Sequence, residues 1–246
     1  MAMSPAQRFK AMAQANLSAA DVSGEQAAPR PETGEAATEY GLLMAELQQD
    51  LHEISALASQ ELKSVEKAVR APKYDVHIDA AIAAMDENGK ALQDEIFTRL
   101  MVWHFDIGNY DRALQMGEYV IKFGLQMPPK FERTPQAFIT ESLADLAINA
   151  QVTKIEFPLP PLQKCEQVME GLDMPDQTRA KLHKALGYGF QNLADKIEKK
   201  EVETEVAGGL IAAKQEALRH FQRAFELDKF IGIKKEIERL QRQVPT

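Results

Sequence analysis

Three observations predict an all-α fold. Apolar residues recur at steps of three to four along most of the chain, the period of one helix face. Glycines and prolines fall mainly between those runs, where helices start and stop. Aromatic residues make up only 7% of the chain, and no convincing strand pattern occurs. The expected architecture is a set of helical hairpins with degenerate tetratricopeptide-like packing, preceded by a long N-terminal helix.

Residues 1–20 are rich in Ala and Gln, carry Arg8 and Lys10, and could form a short helix. Residues 21–37, DVSGEQAAPRPETGEAA, are small, polar and proline-interrupted, and read as a flexible linker. Segment 1–37 is thus a basic end plus linker. From Tyr40 to about Arg70 the spacing predicts one helix, with Leu43, Leu47, Leu51, Ile54, Leu57, Leu62, Val65 and Val69 along it and Pro72 closing it. Such a helix would be about 45 Å long, more than a small domain needs. Residues 38–75 are therefore a candidate oligomerisation element, with Leu43, Leu47, Leu51, Ile54, Leu62 and Val65 as its contact stripe.

Residues 76–246 read as the helical-repeat core. A helix near Ile78–Met85 ends at Asn88-Gly89. Leu92, Ile96, Leu100 and Trp103 line the next, with Phe97 and Met101 widening its apolar arc. In "HFDIGNYDRALQMGEYVIKFGLQMPP", Gly108 permits a sharp turn and Asn109 is a good N-cap. Tyr110, Ala113, Leu114, Gly117, Val120 and Ile121 then follow with helical spacing. This stretch is expected to be half of a hairpin, with Trp103, Tyr110, Ala113, Leu114 and Val120 substantially buried. Thr134-Pro135 starts the next helix, whose stripe is Ile139, Leu143, Leu146, Ala147 and Ala150. "EFPLPP" at 156–161 reads as a stiff connector, followed by a short helix from Leu162 to Glu170. Pro175 opens another helix, with Leu182 and Leu186. Residues 191–212 are highly charged and end in Gly208-Gly209, which reads as a solvated helical extension or a mobile insertion. Ala217, Leu218, Phe221, Ala224 and Phe225 form the next stripe. Gly232 interrupts it, and Ile233, Ile237 and Leu240 form the last. Ala113-Leu114 and Ala217-Leu218 fall at matching places in two repeat-like units.

The chain has 246 residues and a net charge of −8, so nucleic-acid contact requires local basic islands. Cys165 is the only cysteine, which rules out an intrachain disulfide and a thiolate metal cluster. The N-terminal stretch lacks the apolar core of a signal peptide, and no apolar run is long enough to span a bilayer. A soluble intracellular protein with no membrane partner is expected.

No catalytic constellation is apparent. His52, His77, His104, His183 and His220 include no i, i+4 metal-ligating pair, so no metal site and no cofactor are expected. His104, next to Trp103, reads as structural. His220 is expected to lie beside its stripe, half exposed, and Cys165 to be a small core residue. There is no phosphate-binding glycine loop and no dinucleotide fingerprint. The acidic residues Asp86, Glu87, Asp94, Glu95, Asp106 and Asp111 are scattered by helical spacing and read as solvated surface. Three basic islands stand out as candidates for phosphate contact: Arg8 and Lys10; Lys122, Lys130 and Arg133; and Lys234 and Lys235. The last pair lies within residues 214–246, which hold eight basic and five acidic residues.

Four motifs taken together resemble the small terminase subunits of P2-like tailed phages, the phage small terminase or terminase endonuclease subunit family. They are "MSPAQRFKAM", "DEIFTRLMVWHFDIGNYDRALQMGEYVIKFGLQMPPKFERTP", "MPDQTRAKLHKALG" and "ALRHFQRAFELDKFIGIKKEIERLQRQ". They span most of the chain; the long central one is the most specific. The resemblance implies a genome-packaging protein acting in the cytoplasm of the infected bacterial host and not retained in the virion. It implies recognition of the packaging site on concatemeric viral double-stranded DNA. It further implies recruitment and regulation of the large ATPase–nuclease subunit, and assembly as a homo-oligomer. Two alternatives stay open: a protein-binding repeat adaptor without DNA contact, and an endonuclease with an unrecognised site.

Overall fold

A computed structural model describes residues 27–202 and 209–244. Among these residues the regular structure is helical, apart from one isolated parallel β-bridge between Ala28 and Leu92. The helices are α1 (Glu35–Ala56), α2 (Gln60–Arg70), a 3-10 turn (Ala71–Tyr74), α3 (Asp75–Asn88), α4 (Glu95–Asp106) and α5 (Tyr110–Lys122). They continue with α6 (Pro135–Thr153), α7 (Leu159–Val168), α8 (Asp176–Glu198), α9 (Gly209–Leu227) and α10 (Lys234–Gln241). The chain divides into two compact units, Met1–Pro135 and Gln136–Thr246. None of the described helices is long and apolar enough to cross a membrane.

In the first unit the expected single helix over 40–70 is two helices. The backbone is extended at Leu57, and Ser59 caps α2 by accepting the Leu62 N–H at 3.3 Å. Arg70 reaches Asp50 at 2.7 Å and Glu53 at 2.6 Å. Twenty residues of straight helix would hold Arg70 about 30 Å from Asp50, so α2 must fold back. Asp50 is 4% exposed and also accepts from Tyr74 at 2.8 Å and Lys73 at 3.2 Å. Burial acts to raise its pKa, but these partners hold it below the ordinary carboxylate value. The periodicity is continuous across the break because both helices are amphipathic; the turn is set by the Ser59 cap and the Asp50 cluster.

Part of the expected linker is also docked. Ala27 and Ala28 are buried; Ala28 N–H donates to Ala91 O at 2.9 Å, and Gln93 N–H donates to Ala28 O at 2.7 Å. Small residues fit this edge closely, and Arg30 anchors it by bonding Gln93 O at 2.8 Å and by pairing with Asp94.

Helices α4 and α5 form the expected hairpin. Asp94 caps α4, accepting the Phe97 N–H at 3.0 Å, and Asn109 caps α5 through Arg112 N–H at 3.4 Å. Gly108 adopts φ 78°, a left-handed conformation that a side chain would strain. Trp103, Ala113, Leu114 and Val120 are buried and Tyr110 is half-buried.

In the second unit α8 and α9 pack side by side. Prolines 160 and 161, expected in a connector, lie in the first turn of α7, where no backbone N–H is needed. Helix α8 runs through Glu198, so the first part of the charged 191–212 stretch is helical with Ala194 buried; residues 203–208 lie outside the described residues. Ala217, Phe221, Ala224, Ile233 and Leu240 form a core cluster bordered by Tyr188 and Phe190. Gly187 allows α8 to meet α9 here: a Cβ on it would lie 2.5 Å from the Phe221 ring. Phe221 has no exposed surface and cannot swing out easily. Gly187→Ala should therefore lower stability by about 1–3 kcal/mol through overpacking, although alanine is the better helix former by about 1 kcal/mol. Denaturant unfolding of the full chain tests this; a variant as stable as wild type would show that Phe221 can move aside.

Candidate nucleic-acid interface and buried polar sites

Of the three predicted basic islands, two can be placed. Lys122 ends α5, with its ammonium 5.0 Å from the Phe123 ring centroid, and Lys130 and Arg133 follow in the loop before α6; all three are exposed. Lys234 and Lys235 occupy the first turn of α10 and are exposed. Arg8 and Lys10 lie outside the described residues.

The candidate oligomerisation stripe separates into two parts. Leu47 and Ile54 are buried within the first unit, with Leu43 and Leu51 half-buried beside them. Leu62 and Val65 are 54% and 52% exposed, and with Val69 at 69% they give α2 an apolar outer face. This follows from the fold-back of α2: a stripe that is continuous in sequence ends up facing in two directions.

Several polar groups prove to be buried, among them two read from sequence as exposed or half exposed, Asp94 and His220. Asp94, read as solvated, has a side chain only 1% exposed and is bonded to Arg30, to His77 Nε2 at 2.7 Å and to the cap N–H of α4. Burial alone would raise its pKa, but the Arg30 guanidinium and His77 override this and hold the carboxyl far below its ordinary value. The Arg30 guanidinium carbon lies 3.8 Å from the Tyr40 ring centroid, and the Tyr40 hydroxyl accepts the Glu95 N–H at 3.0 Å. The network is structural: it ties residues 27–30, α1 and α3 to the start of α4.

His104, read as structural, is buried, with neither ring nitrogen hydrogen-bonded. Burial, with Arg112 adding to it, pushes its pKa down to about 4 and keeps it neutral. It lines a cleft of about 430 Å³ with Asp75, Asp79, Asn109 and Arg112, in which Arg112 is paired with Asp79.

The second unit brings together three residues distant in sequence. His183 Nδ1 and His220 Nδ1 lie 3.0 Å apart. Glu166 Oε1 is 3.7 Å from the first and 3.8 Å from the second. His220 is fully buried, not half exposed as expected, because it lies on the inner stripe of α9 between Ala217 and Ala224 and stacks on Phe190. Burial, reinforced by nearby guanidiniums, lowers the pKa of both imidazoles. Burial also raises the Glu166 carboxyl, partly offset by Arg219. Cys165 beside it is fully buried, its thiol pushed up to about 12, mainly by burial, and is a core residue as expected. Sequence spacing could not reveal this cluster, because each residue comes from a different helix. The only signal in the sequence was a histidine at a core-facing position in each of two packed helices.

Comparison with known proteins adds two findings. Residues 44–177 match the family profile described as the phage small terminase subunit. Over 241 residues, 98% of this chain and 85% of the relative, the sequence is 34% identical to a protein of Escherichia phage P2 named "Terminase, endonuclease subunit". No solved structure matches.

Proposed function

The chain belongs to the phage small terminase subunit family, and from that membership we propose that it recognises the packaging site on concatemeric viral DNA and recruits and regulates the large ATPase–nuclease subunit. The observation that carries this reading is the similarity to the phage P2 terminase subunit along nearly the whole chain. The surface is compatible with it. Lys122, Lys130, Arg133, Lys234 and Lys235 are exposed on an acidic protein, as local phosphate contacts must be. Arg8 and Lys10 complete the proposed set. Self-association through Leu62, Val65 and Val69 of α2 would multiply each weak island by avidity. In this reading the subunit positions DNA and leaves cleavage to its partner, and its α4–α5 and α9–α10 pairs act as degenerate tetratricopeptide-like hairpins.

The test is duplex DNA binding across a salt series, for wild type and three charge reversals: Arg8→Glu with Lys10→Glu; Lys122→Glu with Lys130→Glu and Arg133→Glu; Lys234→Glu with Lys235→Glu. At least one reversal should weaken binding and reduce the salt slope by about 0.9 for each phosphate that is no longer neutralised, and the Arg8→Glu with Lys10→Glu variant should do so with no change in melting temperature. If wild type does not bind the cognate DNA, or if all three variants bind it as wild type does, DNA recognition by these islands fails. Light scattering of Leu62→Glu with Val65→Glu tests assembly: the oligomer should dissociate, and an unchanged mass would remove α2 from the interface.

A further inference from the structure

We infer that Glu166, His183 and His220 form a binding site for one divalent transition-metal ion of the zinc type. Two imidazole nitrogens and one carboxylate oxygen converge from three helices, α7, α8 and α9. Zinc bonds of about 2.0–2.1 Å at tetrahedral angles place ligand atoms roughly 3.3 Å apart. The three observed separations are 3.0, 3.7 and 3.8 Å, so shifts of a few tenths of an ångström would complete the triangle. The donor set also selects the ion. Two neutral imidazoles with one carboxylate suit Zn²⁺ and its transition-metal neighbours, whereas Mg²⁺ and Ca²⁺ require oxygen ligands.

Arg219 offsets the burial of the Glu166 carboxylate only in part. That carboxylate lies beyond hydrogen-bond distance of both imidazoles. Three guanidiniums face the cluster, each with partners of its own: Arg219 with Glu216 and with His220 Nε2, both at 2.8 Å, Arg223 with Glu226 at 3.0 Å, and Arg179 with the Leu172 carbonyl. Glu170 and Glu216 add further negative charge around Glu166. A bound cation would supply the remaining counter-charge.

The tautomers allow the change. Arg219 can only donate, so His220 Nε2, 2.8 Å away, accepts. The ring proton is therefore on His220 Nδ1, shared with His183 Nδ1. Metal binding moves that proton from Nδ1 to Nε2, leaving His220 neutral, and Arg219 turns away. Glu216, whose Oε2 is 3.9 Å from Nε2, is placed to accept the N–H and orient the ring, as carboxylates do behind metal-bound histidines. Glu166 and His183 also line a cleft of about 280 Å³ with Glu170 and Arg179, so a fourth coordination position opens to water or a ligand.

The experiment uses the full chain, stripped of metal and titrated with Co²⁺ as a spectroscopic stand-in for Zn²⁺. Wild type should bind one equivalent with the visible absorption of tetrahedral Co²⁺, and Zn²⁺ should displace it. Glu166→Gln, at a half-exposed position, should keep the wild-type circular dichroism and bind at least about tenfold more weakly. His183→Gln should behave likewise. Absence of saturable tetrahedral absorption in wild type, or wild-type affinity in folded Glu166→Gln, overturns the assignment.

Discussion

Asp94→Ala is expected to destabilise the first unit by about 3–5 kcal/mol, the cost of removing one partner from a buried ion pair. The substitution also deletes the N-cap of α4 and the hydrogen bond to His77. It frees residues 27–30, whose anchor Arg30 loses its carboxylate. Asp94→Asn should fall between the two, since an amide oxygen can still cap α4 but brings no charge. The pH dependence follows from the lowered pKa of Asp94. A carboxyl held below its unfolded value of about 3.9 contributes stability fully above that pH, and the contribution is lost as pH falls toward the folded value. The gap between wild type and Asp94→Asn should therefore narrow below about pH 4. Denaturant midpoints followed by circular dichroism across pH check this. A gap that persists unchanged under acid conditions would show that the Asp94 charge does not matter.

Trp103→Ala is the second large effect, at about 3–5 kcal/mol. The indole is 3% exposed and meets Tyr74 edge-on, with centroids 6.3 Å apart. Tyr74 in turn donates to Asp50, so the ring links the α4–α5 hairpin to the fold-back of α2. Truncation leaves a cavity where the surrounding helices cannot collapse freely. Hydrogen exchange resolved along the chain tests both size and place. Protection should fall through α1–α5 and persist in α8 and α9. Equal loss in both units would mean that the two do not unfold separately, and a loss under 1 kcal/mol would place Trp103 outside the core.

What the sequence determined on its own was the local physics. Helix type and most boundaries follow from the apolar period, from caps such as Asn109, and from glycines such as Gly108 that tolerate a left-handed backbone. The family could also be named from the sequence, and the long motif over residues 94–135 lies within the stretch that matches the family profile. The burial of Trp103, Ala113, Leu114 and Val120 was legible for the same reason. The tertiary structure decided whatever depends on partners far along the chain. The stripe over 40–70 has one helical period, yet Asp50, Lys73 and Arg70 meet only because the chain turns at Leu57–Ser59. Asp94 resembles a surface acid until Arg30 and His77 close on it. Periodicity reports which side of a helix is apolar, not what that side meets. Glu166, His183 and His220 converge because α7, α8 and α9 pack together, and that packing is a property of the assembled core.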